Sequence, residues 1–221
     1  MPDATFCQCQ PSRFKPDKMK NLVAVFAFIV LSFVSVAQDT LTQNIDIHGS
    51  ITSAIPVYMR LMEGAASYDF KDGFVAGVGY RLAKGRHAFI TGLDYARYRF
   101  NSSWIDGTGN EQHSAEPIVV SLITIPLNYG VDITKSFTFG CGPFIGLETN
   151  ADDGYLDRQS GVGLNIFFQK RFNTGRQLMI GLSPELRMHS VFPIQGDRSQ
   201  RRLIEAKLGL SLHRKLSSIV R

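Results

Sequence analysis

The sequence predicts an all-β protein, an eight-stranded antiparallel up-and-down transmembrane β-barrel. Three observations carry this. From residue 44 onward apolar residues recur with period two, the spacing of a strand with two unlike faces. The runs are about 10–15 residues long, against the usual 5–6 of globular sheets and the 9–11 of a tilted strand crossing a bilayer. The connections alternate long and short. Composition agrees: of 221 residues 44% are hydrophobic, 11% aromatic and only 19% charged, below the roughly 25% charge of a soluble domain. Abundant aromatic and branched residues exclude disorder, and a single apolar stretch long enough to be weighed as a span excludes a polytopic helical bundle.

That stretch is Leu22–Val36, preceded by Lys18 and Lys20 and followed by Ser35, Val36 and Ala37. A basic start, a short apolar segment and a small-x-small site describe a secretory signal peptide, here residues 19–37. Residues 1–18 are expected to be a disordered extension or a mis-assigned start, with Met19 the better initiator. Losing residues 1–37 removes Cys7 and Cys9, so Cys141 remains alone and no disulfide is expected. It also removes four basic and two acidic residues, lowering the formal charge from +5 to +3, which gives no support for nucleic-acid binding.

Residues 38–50 read as a periplasmic N-terminal segment and 51–216 as the barrel. The expected strands are 51–62, 73–83, 88–100, 117–131, 137–148, 160–172, 178–189 and 202–214, with 217–221 a basic tail. Long polar connections at 63–72, 101–116, 149–159 and 190–201 alternate with short ones at 84–87, 132–136 and 173–177, as tight turns at one rim and loops at the other require. Both termini are then periplasmic and the long loops face outward.

The two faces decide the medium. In 202–214, Ile204, Ala206, Leu208, Leu210 and Leu212 oppose Glu205, Lys207, Gly209, Ser211 and His213; in 160–172, Val162, Leu164, Ile166 and Phe168 oppose Gly161, Gly163, Asn165, Phe167, Gln169 and Arg171. A solvated exterior would be crowded with Lys, Glu and Thr, whereas the polar face here is mainly Gly and Ser with sparse charges of both signs. That suits the crowded interior of a narrow barrel whose apolar face meets lipid. The alternative is a soluble secreted barrel of lipocalin type with a lipophilic ligand.

Four segments carry a family resemblance: Gly73–Tyr80 (GFVAGVGY), Gly92–Tyr95 (GLDY), Ile123–Tyr129 (ITIPLNY) and Phe139–Gly146 (FGCGPFIG). Over roughly Ser50 to Leu216 the chain resembles the PorT-like outer-membrane β-barrel family typical of Bacteroidetes, Gram-negative bacteria, which is related in architecture to the OmpA membrane domain. The resemblance implies the outer membrane and leaves a secretion-accessory role open. Members usually end on a strand whose last residue is Phe or Tyr; here the chain ends on Leu212–Leu216 and a basic tail.

Inward-facing charges are expected at Arg60, Arg81, Asp94, Glu148, Arg171, Glu185, Arg187, Glu205 and Lys207. A gated pore and a salt-bridged plug are the two readings. The plug is favoured, because an eight-stranded barrel has room only for its side chains and unpaired confined charge is costly. Glu185 should pair with Lys207 or Arg187 near the outer half. Arg97 and Arg99 at the outer rim are placed for lipopolysaccharide phosphates, against the plainer reading of solvated charge. Tyr95, Tyr98, Phe100 and Trp104 at one end, and Tyr129 and Phe172 at the other, read as aromatic girdles. Adjacent His189 and Ser190 should face opposite ways, which argues against a hydrolase pair. Asp152, Asp153 and Asp157 lack calcium-loop spacing. Pro56, Pro126, Pro143 and Pro184 fall inside proposed strands, where each removes a ladder donor.

No cofactor or metal site is expected, and no catalysis. The expected role is structural or interactive, as a monomer, with outer-membrane lipid and lipopolysaccharide as partners and a protein partner through 101–116 and 149–159.

Overall fold

The computed structural model describes residues 41–58, 67–106, 108–150, 159–175, 177–194 and 201–219. The leader expected at 19–37, the extension at 1–18, Arg60 and the three aspartates at 152, 153 and 157 lie outside these residues.

Among the described residues nine strands form one antiparallel sheet: β1 (Leu41–Tyr58), β2 (Ser67–Lys84), β3 (His87–Ile105), β4 (Glu111–His113), β5 (Ile118–Thr134), β6 (Phe137–Glu148), β7 (Gly161–Asn173), β8 (Leu178–Pro193) and β9 (Arg201–Ile219). Sequential pairing, with β3 joined to β5 and β1 to β9, closes eight of them into a ring. The short β4 pairs only with the end of β3, turning part of the 101–116 connection into a projecting hairpin.

Register fixes the width. Partners followed once around the ring run Gln43, Leu82, Phe89, Tyr129, Cys141, Ile166, Leu186, Ala206 and back to Ser53 on β1. The path returns about ten residues further along the starting strand, a stagger that for eight strands means a tilt of about 40° and a backbone radius of roughly 8 Å. At its middle such a bore holds side chains and little else.

The apolar face points outward. Ile47, Ile51, Ile55 and Leu210 are each more than 60% exposed, in line with Leu164, Ile166, Leu186, Leu208 and Leu212. A soluble barrel with a greasy interior would place these residues inside, so that alternative falls. Gly, Ser and the charged residues of the opposite parity turn into the lumen.

Four details correct the sequence reading. β1 begins at Leu41 and not at residue 51, so residues 41–50 belong to the barrel wall. β9 runs to Ile219 and pairs with β1 through Leu41–Ile219, so most of the expected 217–221 tail is strand. Tyr98 and Phe100 are fully buried in the lumen, so of the four aromatics expected at that end only Tyr95 and Trp104 face outward. His189 and Ser190 both turn inward. The β7–β8 register shifts there, Val162 meeting Phe192 and Leu164 meeting Met188, and Ser190 takes φ 50°, a bulge that re-aims consecutive side chains.

The prolines now have places. The ladders flanking β5 are interrupted between Thr91–Leu127 and Asp94–Thr124, beside Pro126, and between Pro126–Phe144 and Tyr129–Cys141, beside Pro143. The β7–β8 ladder is interrupted between Phe167–Glu185 and Lys170–Leu182, beside Pro184. Pro56 lies beyond the last β1–β2 pair, Ile51–Phe74, and keeps its β9 neighbour Leu203. Each missing donor falls where a ladder is already open.

At the short-turn end Gly85 (φ 57°) occupies the first position of the two-residue β2–β3 turn, where a type II′ turn requires positive φ.

Candidate functional site

The lumen is layered along the barrel axis. At its centre the Arg187 guanidinium donates to Asp94 (2.6 Å), to Glu185 (2.5 Å) and to the Thr124 hydroxyl (3.2 Å), so β8 is tied across the bore to β3 and β5. The ring face of Phe144 lies 5.4 Å from the same guanidinium. Lys207 on β9 completes the cluster, 2.9 Å from Glu185 and 4.0 Å from Asp94. Asn165 donates to Glu185 (2.8 Å). His48 on β1 bonds Asp94 (2.9 Å) and reaches Asp46 (3.3 Å), which lies 3.8 Å from His213. Asp94, Asn165, Arg187 and Lys207 are buried, and the remaining cavity among the residues of this cluster is about 80 Å³.

Alternating charges at these distances neutralise one another, which is what makes burial tolerable. Glu185 pairs with both Lys207 and Arg187, and it does so at mid-strand, away from the outer half where it was expected.

Toward the long loops, Glu205 accepts from His189 (3.0 Å) and from the Thr52 hydroxyl (2.9 Å), all inside the wall. The rings of Tyr98 and Phe144 stand edge-on to His189. Above this lies an apolar plug of Ala54, Val75, Ala96, Tyr98, Phe100, Val120, Leu122 and Leu203, with Tyr68 and Phe70 packed against it. The Ser190 hydroxyl donates to the Ser160 carbonyl (3.3 Å) and not to His189. Glu148 stands apart from the central cluster and accepts the Gln159 backbone N–H (2.8 Å).

Toward the short turns, Arg81 and Arg171 converge on Asp132 at 2.7 and 3.0 Å, and the Thr138 hydroxyl donates to the same carboxylate. The sequence places Asp132 in the 132–136 turn and Asp46 in the 38–50 segment, whereas both are lumen acids, on β5 and β1. Period two would have found Asp46 and His48, since Ile45 and Ile47 alternate with them.

On the outside, Arg97 is exposed near the long-loop rim, and Arg99 donates through Nε to Asp72 (2.6 Å). Beyond them the β3–β4 hairpin carries exposed Trp104 and Ile105. Its tip is organised by Asp106, whose carboxylate accepts from Thr108 N–H (2.9 Å) and hydroxyl (2.6 Å), Asn110 N–H (3.0 Å) and Gln112 Nε2 (3.1 Å). These donors hold its pKa down at about 2. Among the described residues no group of three or more His, Cys, Asp or Glu side chains is placed to hold a metal.

Eight closed antiparallel strands with an apolar exterior and a charged interior define an outer-membrane β-barrel. The chain is similar to solved structures of that class. AlkL, an outer membrane protein studied in lipid bilayers, is 14% identical with a TM-score of 0.50, over 83% of this chain and 94% of its own. Neisserial surface protein A is 12% identical with a TM-score of 0.43, over 80% and 97%. The outer membrane protein OprG of Pseudomonas aeruginosa is 9% identical with a TM-score of 0.40, over 81% and 97%. No family model and no curated protein matches the chain.

Proposed function

We propose that this protein is a monomeric, non-conducting and non-catalytic barrel of the outer membrane, acting through the face that bears its long loops. One observation carries the reading: the Arg187 tie, which joins β8 to β3 and β5 in the middle of a bore already narrowed by its stagger. Four charged side chains, Arg187, Asp94, Glu185 and Lys207, are cross-bonded in that space, and this supports a bore closed to water at its centre. Beyond the apolar plug at the long-loop mouth, the surface offers the β3–β4 hairpin.

In this reading the termini are periplasmic, the hairpin within 101–116 and the 149–159 connection meet a protein partner, and Arg97 with Arg99 meets lipopolysaccharide phosphates. Arg97 is the stronger of the two contacts, since Asp72 already holds Arg99. The PorT-like resemblance belongs to the same proposal and rests on the segments at 73–80, 92–95, 123–129 and 139–146.

The test is reconstitution of the refolded barrel into planar bilayers. The expected result is the absence of stable conductance steps in wild type. Steady open-channel current from protein that still shows a heat-dependent gel shift would overturn the plugged reading.

A further inference from the structure

The short-turn end of the lumen holds a second cavity, of about 590 Å³, that the loop-facing role leaves unused. Its charged lining is one-sided: Arg81, Arg86, Lys135, Arg171 and Lys215 against Asp132 alone. We propose that this vestibule is a binding site for a soluble phosphate-bearing anion of charge −2 or more.

The argument rests on geometry at its floor. Asp132 is shared, accepting from Nη2 of both Arg81 and Arg171 and from the Thr138 hydroxyl. One carboxylate is thus the hydrogen-bond acceptor of two guanidinium groups. Arg81 is 3% exposed and Arg171 8%, yet Nε and Nη1 of Arg81 and Nε of Arg171 are buried with no hydrogen-bond acceptor in the protein. Buried donors left without acceptors are costly and rare, and these three leave both guanidinium groups incompletely satisfied beside a cavity whose lining is cationic. Guanidinium N–H groups suit the tetrahedral oxygens of phosphate.

The remaining cations sit where a larger anion would need them. Arg86 belongs to the β2–β3 turn and Lys135 to the β5–β6 turn, while Lys215 lies near the end of β9. They form the rim above the buried pair, so one phosphate can meet the guanidinium floor while a second charge meets the rim. A monovalent ion would leave most of the excess charge unanswered. A lipid headgroup is disfavoured because Arg81 and Arg171 face the lumen, not the wall that lipid touches.

The experiment is calorimetric titration of the full barrel, folded in a nonionic detergent, with inorganic pyrophosphate at about 50 mM salt, where screening is moderate. One saturable site is expected, weakening as salt rises. Arg81→Gln should lower affinity by about tenfold or more. Because Arg81→Gln also takes one partner from Asp132, a second variant, Arg86→Ala with Lys135→Ala, removes rim charge and leaves the floor intact; it should weaken binding by several fold with an unchanged heat-dependent gel shift. Absence of saturable binding to folded wild-type protein would overturn the proposal, as would pyrophosphate affinity unaffected by both variants. Binding detected only in vesicles containing phosphatidylglycerol, and never with pyrophosphate, would assign the phosphate to lipid and overturn the soluble ligand.

Discussion

Replacing Arg187 with Met removes the charge at the centre of the lumen while keeping most of the side-chain length. In the wild type this guanidinium answers two carboxylates, Asp94 at 2.6 Å and Glu185 at 2.5 Å. Deleting one partner of a buried pair costs about 3–5 kcal/mol, because the other charge stays behind. Two features pull the figure toward the lower end. Asp94 retains His48 at 2.9 Å, and Glu185 retains Lys207 at 2.9 Å and Asn165 at 2.8 Å. The adjoining cavity of about 80 Å³ can also admit water to the stranded carboxylates. We expect Arg187→Met to cost about 3 kcal/mol. Asp94→Asn in that background should return about 1–2 kcal/mol, since it neutralises one stranded charge. Urea unfolding from phosphocholine vesicles, followed by fluorescence of Trp104, the only tryptophan, measures both. A loss below about 1 kcal/mol for the single variant, or strict additivity in the double, would refute the view that these charges act as one interlocked unit.

Two further expectations follow from packing and from the hairpin tip. Gly163 pairs with Phe144 across β6–β7, and a methyl group at Gly163 would sit within the Phe144 ring and against the Met188 carbonyl; Gly163→Ala should therefore cost about 1–3 kcal/mol by overpacking, and less when Phe144→Leu is also present, read by the same urea assay. Asp106, with its pKa lowered, contributes order to the tip that is complete above the ordinary carboxylate range near 4 and is lost as pH falls through about 2; an NMR titration of the Thr108 and Asn110 amides should show a midpoint near that value, and Asp106→Ala should show neither midpoint nor tip order.

Much of this architecture was legible because a strand writes its two environments in alternate letters. Leu208, Leu210 and Leu212 against Lys207, Gly209 and Ser211 is sufficient to place one face in lipid, and the lengths of the connections then order the strands. The misreadings have separate physical causes. Gly49 and Ser50 resemble a break, so β1 appeared to start after them and Asp46 and His48 were missed, although their alternation with Ile45 and Ile47 is unbroken. Asp132, Thr134, Lys135 and Ser136 carry turn chemistry, which hid that Asp132 is still strand and still inward. Tyr98 and Phe100 share parity with Asp94, so their burial was readable; their aromatic character suggested a girdle and overrode the parity. The paired inward turn of His189 and Ser190 was not readable at all, since it arises from the register of β8 against β7. No one-strand pattern contains that information.

The same stagger that makes the barrel narrow also explains why its interior differs so sharply from end to end. A bore of roughly 8 Å backbone radius cannot hold two large side chains at one level without one yielding. Gly163 yields to Phe144, and Gly140, paired across the same ladder with Phe167, yields to that ring. Where the rings lie over glycine, the wall is sealed and the neighbouring charges are forced into direct contact, as around Arg187. Beyond them the two mouths diverge. At the long-loop end, Phe100, Leu122 and Leu203 fill the space with apolar bulk that needs no partner. At the short-turn end the lining is guanidinium and ammonium, with Asp132 as its one acid and with donors that no protein group accepts. Stability alone would be served by apolar filling at both mouths, because replacing buried ionic groups by well-packed apolar ones is often neutral or favourable. Retaining a cationic, incompletely satisfied lining at the short-turn mouth is therefore the pattern expected of an opening with a task beyond stability.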